Sequence, residues 1–186
     1  MKPQFNTQIR NSKMLLGEIY FWTSTIKDWK HLLKQDKYKL LIINCLKKLV
    51  DKKLINVYAF VIMPNHVHFV WEMLAKNKKE MPYSSFNKEI GHLIILDLKS
   101  NHPNVLPYFK VDETEREFRV WQRNPLAILM DNKAKTNQKI DYIHTNPLQE
   151  RWNLADIPEN YYWSSAKFYE KGVDDFGFLT HFMDRF

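Results

Sequence analysis

Cysteine is almost missing from this sequence, because Cys45 is its only one. No disulfide can therefore form within the chain, and since Cys45 lies in a helical pattern we expect a small core side chain there. Long apolar runs are missing too: runs such as residues 57–63 fall far short of the roughly 20 residues of a membrane span. Residues 1–10 have no apolar signal core. We therefore expect a cytoplasmic protein with no membrane partner.

Internal repeats and low-complexity linkers are also absent, so nothing divides the chain into units. A length of 186 residues suits one domain with a proper core. Apolar residues make up 45% of the chain and aromatic residues 15%, which excludes an intrinsically disordered protein. We expect a single domain over residues 1–186, with a polar leader at 1–16, a late helix at 131–147 and an irregular tail at 148–186.

Acidic residues are outnumbered, with 21 Asp and Glu against 28 Lys and Arg, which gives a net charge of +7. Such a balance favours a polyanionic partner, and nucleic acid is the first expectation. Aromatic rings beside cations can also stack on unpaired bases. Composition thus favours a nucleic-acid-binding function, although many basic enzymes share it.

The order of predicted elements indicates the fold class. Period-two and helical patterns predict strands at 18–26, 55–63, 66–74 and 118–122, and helices at 38–53 and from Ser84 or Ser85 to Lys99. Strand, helix, strand, strand, helix, strand (βαββαβ) predicts an α+β fold with a ferredoxin-like antiparallel sheet and its helices on one face. In that topology the first and third strands are central.

Two histidines begin the third predicted strand. His66 and His68 follow a Pro64–Asn65 turn and are separated by Val67. Because side chains at i and i+2 point to the same face of a strand, both imidazoles should project side by side. Neighbouring imidazoles on a rigid strand are half of a metal site. The alternative is a pair of polar residues on a solvated face.

A late helix offers a second set of polar side chains. Its candidate N-caps are Asp131, Asn132 and Thr136. Pro147 disfavours helical geometry at Asn146, so the helix should end there. Tyr142 and Asn146 are four residues apart and share a face, whereas His144 falls on another face and is structural or faces DNA. Alternatively, Tyr142 is a buried ring and Asn146 only a helix stop.

In order along the chain, these motifs resemble a known family. His66-Val67-His68 with one tyrosine on a later helix resembles the single-tyrosine HUH transposases. Residues 142–147 (Tyr-Ile-His-Thr-Asn-Pro), followed by residues 162–165 (Tyr-Trp-Ser-Ser), are closer to the REP-associated tyrosine transposases. Residues 121–123 (Trp-Gln-Arg) resemble that family's Trp-Gln-basic motif. The resemblance extends from about residue 18 to residue 178.

The resemblance implies an enzyme that nicks single-stranded DNA. His66 and His68 would bind Mg²⁺ or Mn²⁺, and Asn146 would be the third ligand, where insertion-sequence relatives have glutamine. Tyr142 would be the nucleophile, and the helix at 131–147 would be the catalytic helix. Such a metal polarises a phosphodiester, and a tyrosine oxygen forms a covalent 5′-phosphotyrosine that conserves the bond energy for rejoining.

The implied partner is a REP-like single-stranded DNA hairpin, bound by a monomer, with a dimer as the alternative. The candidate DNA contacts are Lys76, Lys78, Lys79, Arg119, Trp121, Gln122 and Arg123. Each also has a simpler interpretation, since loop lysines are commonly solvated and Trp121 suits a core.

Two other functions stay open at this stage. One is a non-catalytic nucleic-acid-binding module on the same fold. The other is a zinc-dependent hydrolase that uses the histidine pair with Glu72, which lies on the same strand face as His68.

Overall fold

A computed structural model describes residues 14–186, so most of the predicted polar leader lies outside the described residues. The strands are β1 (Ile19–Thr25), β2 (Ile55–Ile62), β3 (His66–Met73), β4 (Lys110–Glu113), β5 (Arg116–Phe118) and β6 (Leu126–Leu129). Four of them form an antiparallel sheet in the order β2-β3-β1-β6. This order confirms the ferredoxin-like prediction, with β1 and β3 in the centre.

The fourth strand of the sheet is β6, and the prediction of a strand at residues 118–122 was wrong. Phe118 ends β5, which pairs with β4 in a separate two-stranded hairpin. Beyond it, Trp121 forms an isolated bridge with Ile26, and the amide of Gln122 donates to the carbonyl of Thr25. The backbone of this segment therefore bonds to the end of β1 and to a loop, not along a continuous strand.

Two helices cover one face of the sheet, α1 (Asp36–Asp51) and α2 (Pro82–Asn101). Their apolar faces pack on an aromatic layer in which Phe86 of α2 meets Trp22 and Trp71 of the sheet edge to face. Cys45 is buried in this core, as predicted. The prediction of Ser84 or Ser85 as the cap of α2 was wrong, because the N-cap is Met81 and the helix begins at Pro82. Proline suits this first position because it lacks the amide hydrogen that a first turn leaves unpaired.

The opposite face of the sheet is covered by α3 (Lys133–Thr145), α4 (Ala166–Lys171) and the chain that follows. Asn132 is the N-cap of α3, since its side chain accepts from the amide of Lys135. The tail, predicted as irregular, contains α4, and its Ser165 hydroxyl bonds to His144 of α3 at 2.8 Å. No helix within residues 14–186 has the length and apolarity to span a membrane.

Candidate active site

His66 and His68 project from β3 toward the α3 side of the sheet, with ring centroids 4.7 Å apart. Both residues are buried, each with 5% of its surface exposed. The side-by-side arrangement expected from their spacing is therefore present. Because β3 is a central strand paired on both sides, the backbone under the two imidazoles is fixed by ladder hydrogen bonds.

Each imidazole is oriented by a side-chain hydrogen bond at Nδ1. His66 Nδ1 lies 2.6 Å from Asn65 Oδ1, and the Asn65 amide nitrogen donates to the Trp29 carbonyl. That second bond identifies Oδ1 as the acceptor, so His66 has its proton on Nδ1 and its lone pair on Nε2. His68 Nδ1 lies 2.7 Å from the Thr23 hydroxyl, and its Nε2 is buried without a partner in residues 14–186. Such outer contacts orient metal-binding histidines.

Tyr142 of α3 lies directly against the histidine pair. Its ring centroid is 5.4 Å from that of His68, in an edge-to-face arrangement. Phe21 of β1 stacks on His68 at 5.1 Å and meets Tyr142 at 6.0 Å. The Lys139 ammonium, one turn earlier in α3, lies 5.6 Å from the Tyr142 ring centre. Tyr142 is 39% exposed, so its ring is neither a core side chain nor remote from the site.

Asn146 follows one turn after Tyr142, at the end of α3. It is fully buried, and neither its amide oxygen nor its amide nitrogen has a hydrogen-bond partner in the described part of the chain. A buried amide with no partner is rare and costs roughly 1–3 kcal/mol. Residues on both sides of it in the chain contact the histidines, since Tyr142 meets His68 and Trp152 lies 5.9 Å from His66.

Burial keeps both imidazoles neutral at pH 7. Desolvation lowers the pKa of His66 to about 4, and the Arg151 charge adds to that effect. Burial also lowers the pKa of His68, with further contributions from His66 and Lys139. A neutral imidazole is the form that binds a metal, so the environment favours ligation over a charged histidine pair.

The donor set fits a divalent cation held by two imidazoles and an amide oxygen. No group of three or more His, Cys, Asp or Glu side chains able to hold a metal occurs in residues 14–186, so a carboxylate-rich site is not formed there. Two buried atoms able to ligate a cation have no hydrogen-bond partner in the described residues, His68 Nε2 and Asn146 Oδ1. Imidazole with an amide oxygen is compatible with Mn²⁺ and accessible to Mg²⁺.

Glu72, the acid considered for a zinc hydrolase, is engaged elsewhere. Its carboxylate accepts from the Tyr58 hydroxyl at 2.5 Å and from Arg185 at 3.3 Å. It also lies four residues beyond His68 on an extended strand, which corresponds to roughly 13 Å. These contacts argue against Glu72 as a third ligand or general base at the histidines.

The loop lysines expected to contact DNA are far from the histidines. Lys76, Lys78 and Lys79 are exposed, in the loop that follows β3. His66 begins β3 and Met73 ends it, so the loop lies roughly 20 Å from His66. These lysines and the histidine site therefore occupy opposite ends of the strand.

The Trp-Gln-Arg segment lies at the histidine end of the sheet, but in the other layer. Gln122 bonds to Thr25, whose partner across the ladder is His66. Trp121 is buried on the α2 side, where it lines a cavity of about 580 Å³ between α2 and the β4–β5 hairpin. The guanidinium groups of Arg119 and Arg123 both pair with Glu113 on that hairpin.

Other polar residues singled out by the sequence are structural. His144 is buried, and desolvation lowers its pKa to about 4. The Ser165 hydroxyl that bonds to it also accepts from the backbone amide of Phe60, so this pair joins α3 to β2. Tyr161 is buried, with its hydroxyl donating to the Ile62 carbonyl.

Sequence reasoning missed several residues of the site. Phe21 and Thr23 approach His68 only because of the β1–β3 register. Asn65 was treated as a turn residue, and its position directly before His66 was an available hint. Lys139 lies three residues before Tyr142, on the same helical face, and that spacing could have identified it.

No protein-family model matches the chain, and no curated protein matches it. A solved structure has the same fold, that of a REP-associated tyrosine transposase bound to a REP hairpin. The alignment covers 94% of this chain and 92% of that one, with a TM-score of 0.61 and 16% sequence identity. The resemblance inferred from the sequence motifs is thus confirmed at the level of the fold.

Proposed function

We propose that the chain is a metal-dependent single-strand DNA endonuclease and strand transferase of the REP-associated tyrosine transposase type. One observation supports this most strongly. Within a single chain, the tyrosine of α3 lies edge-on at 5.4 Å to one of two neutral histidines, and a buried amide without partners follows one turn later. A binding module has no evident use for buried metal-donor atoms without partners, His68 Nε2 and Asn146 Oδ1, on the residues next to this tyrosine and one turn after it.

The chemistry follows from the positions of these groups. A divalent cation bound by His66, His68 and Asn146 would polarise the phosphoryl oxygens of a DNA strand. The Tyr142 oxygen attacks the phosphorus, and a new P–O bond forms as the bond to the 3′ oxygen breaks. The phenolic proton passes to water, which reaches the partly exposed Tyr142, and the departing 3′ oxygen takes up a proton. The 5′ phosphate remains on Tyr142.

Lys139 assists this step electrostatically. Its ammonium, 5.6 Å from the Tyr142 ring centre, favours the negative charge on the phenol oxygen during attack. The same cation lies 5.0 Å from the Phe21 ring, which holds it on the site side of α3.

The proposed substrate is a DNA hairpin with unpaired flanks. A REP hairpin is bound by the solved transposase that shares this fold, and the net charge of +7 suits a polyanion. Because the histidines and Tyr142 come from one chain, a monomer is sufficient for the site, and we propose that the protein acts as one.

The test uses synthetic hairpins copied from repeats beside the gene that encodes the chain. In Mn²⁺ or Mg²⁺, wild type should form a protein–DNA adduct that survives SDS and maps by mass spectrometry to Tyr142. Tyr142→Phe should fold and bind the hairpin but form no adduct, whereas Tyr162→Phe, a change at another exposed tyrosine, should form it normally.

Metal dependence is tested with the same hairpins. His66→Ala and His68→Ala should each abolish Mn²⁺-dependent cleavage while the circular dichroism spectrum is kept. Cleavage that persists in EDTA would refute the metal, and free 5′ phosphates without an adduct would identify water as the nucleophile and refute the transposase.

A further inference from the structure

A second cavity adjoins the candidate active site, and the mechanism above does not use it. It has a volume of about 590 Å³ and lies where the start of α1 meets the end of α2. Its polar and aromatic wall is formed by Lys30, His31, Lys37, Tyr38, His102 and Tyr108. This volume is in the range of small-molecule sites, so a nucleotide would fit.

The wall combines a cation with an accessible ring. The Lys30 ammonium lies 5.1 Å above the centre of the Tyr108 ring, and Tyr108 is 62% exposed. No Asp or Glu is among the residues that line this cavity in the described part of the chain, but Asp97 accepts hydrogen bonds from Lys37 and from the Tyr38 hydroxyl, so Lys30 is the wall's lysine that this carboxylate does not neutralise. An exposed ring beside an ammonium group is an arrangement on which single-stranded nucleic acid stacks.

Two ring contacts connect this cavity to the histidines. The His31 ring lies 5.7 Å from Trp152, and Trp152 lies 5.9 Å from His66. The Arg151 guanidinium lies 5.5 Å from the Trp152 ring, which adds a cation to the path. Trp152 therefore lies between His31 of the cavity wall and His66 of the candidate active site.

Trp29 lies beside the histidine end of this path. It is 59% exposed and its ring lies 6.4 Å from His66. Asp28 and Trp29 both have a φ of 55°, a left-handed conformation that costs non-glycine residues roughly 1–3 kcal/mol. The Asn65 amide that orients His66 also donates to the Trp29 carbonyl at 3.2 Å. An exposed indole is thus held in a strained conformation beside the proposed metal ligand.

We propose that this surface binds two unpaired nucleotides next to the scissile phosphate. One base stacks on Trp29 beside His66, and another enters the cavity and stacks on Tyr108, with its phosphate near Lys30. This proposal rests on the proposed function, because it takes single-stranded DNA as the ligand. Under this proposal, the unpaired bases that flank the hairpin are recognised by Trp29, Tyr108 and Lys30, and not by the candidate catalytic residues.

The test is an abasic scan of the hairpin flanks, measured by fluorescence anisotropy in the Tyr142→Phe background so that no probe is cleaved. An abasic site at one flank position should weaken binding about 5- to 150-fold, the effect of one lost base stack. In Tyr108→Leu the intact flank should bind more weakly, and the same abasic site should add less than about twofold. Tyr162→Leu, at a comparably exposed tyrosine, should retain the full abasic effect.

A photocrosslink provides a readout that does not depend on a variant. 5-Iododeoxyuridine at the sensitive position should crosslink to the peptide containing Tyr108, and at the neighbouring position to the one containing Trp29. Crosslinks only to other peptides, or an abasic effect unchanged in Tyr108→Leu, would overturn this subsite while the Tyr142 adduct still forms. Failure of the adduct itself would instead refute the proposed function.

Discussion

At the scale of one residue, Asn146 is a candidate site residue because its buried amide has no hydrogen-bond partner in the described residues. A fully buried amide normally bonds with both of its polar atoms, and this one bonds with neither in residues 14–186. For folding alone such a residue is unfavourable, since its desolvation is not compensated. A cation coordinated by the Asn146 amide oxygen would offset part of this cost.

Replacement of Asn146 by Leu should therefore separate stability from activity. We expect the metal-free variant to be as stable as wild type or up to about 2 kcal/mol more stable, because the unpaired amide is removed. Cleavage in Mn²⁺ should be lost. Urea unfolding in EDTA and hairpin cleavage are the two measurements.

Asn65→Leu is the matched control, because Asn65 has partners for both its oxygen and its nitrogen. That variant should be destabilised by about 1–3 kcal/mol. A large loss of stability in Asn146→Leu would mean that its amide is structural.

The candidate site residues that the sequence predicted are those whose spacing is local. His66 and His68 are two apart on a strand, and Tyr142 and Asn146 are four apart on a helix, so periodicity alone assigns each pair to one face. Thr23 could not be found in this way. Its hydroxyl reaches His68 across 45 residues of sequence, and only the pairing of β1 with β3 brings the two together.

At the scale of secondary structure, α3 determines where the proposed nucleophile lies. Its N-terminus depends on Asn132, whose side chain accepts from the amide of Lys135. Loss of an N-cap typically costs about 1 kcal/mol. Tyr142 lies in the last turn of this 13-residue helix, so fraying would reduce its alignment with His68.

We expect Asn132→Ala to lower the free energy of unfolding by about 1 kcal/mol and to slow adduct formation at saturating DNA. Asn132→Asp should behave like wild type, because a carboxylate accepts the same hydrogen bond and suits the positive end of the helix. Urea unfolding and single-turnover adduct formation test this. Equal adduct rates in the alanine variant would show that the helix holds Tyr142 without its cap.

The edge strand β6 shows where sequence patterns stop being informative. Residues 118–122 have the aromatic and β-branched side chains typical of strands, whereas β6 is a short Leu-Ala-Ile-Leu segment after Pro125. β6 is the fourth strand of the sheet because it pairs with β1, which lies about a hundred residues earlier in the chain. Helices α1 and α2 were predicted within about two residues because their apolar period is internal to each helix.

At the scale of the whole molecule, buried neutral histidines connect stability to pH. Burial lowers the pKa of His66 and His144 to about 4 in the folded state, and it lowers the pKa of His68 as well. In the unfolded chain these groups titrate near 6.5. The unfolded state therefore binds more protons between these values, and stability is lost as the pH falls from about 6.5 to 4.

Without added metal, we expect His66 and His144 each to cost about 2 kcal/mol of stability between pH 7 and pH 5. Urea unfolding at both pH values measures the change. His144→Gln, which can still bond to the Ser165 hydroxyl, should reduce the pH dependence by one histidine's share. Stability that does not change over this range would mean that water reaches these imidazoles in the folded protein.

Because one tyrosine lies at the histidines, the proposed enzyme is limited in the order in which it can cut and rejoin DNA strands. Within residues 14–186, Tyr142 is the tyrosine whose ring contacts His68, and one phenol oxygen can hold one 5′ end at a time. If the proposed strand transferase excises a segment, it must cut two ends, so one molecule must reseal its first junction before it opens a second. Two ends held together would require two molecules, and intact-mass spectra should contain one DNA strand per protein and never two.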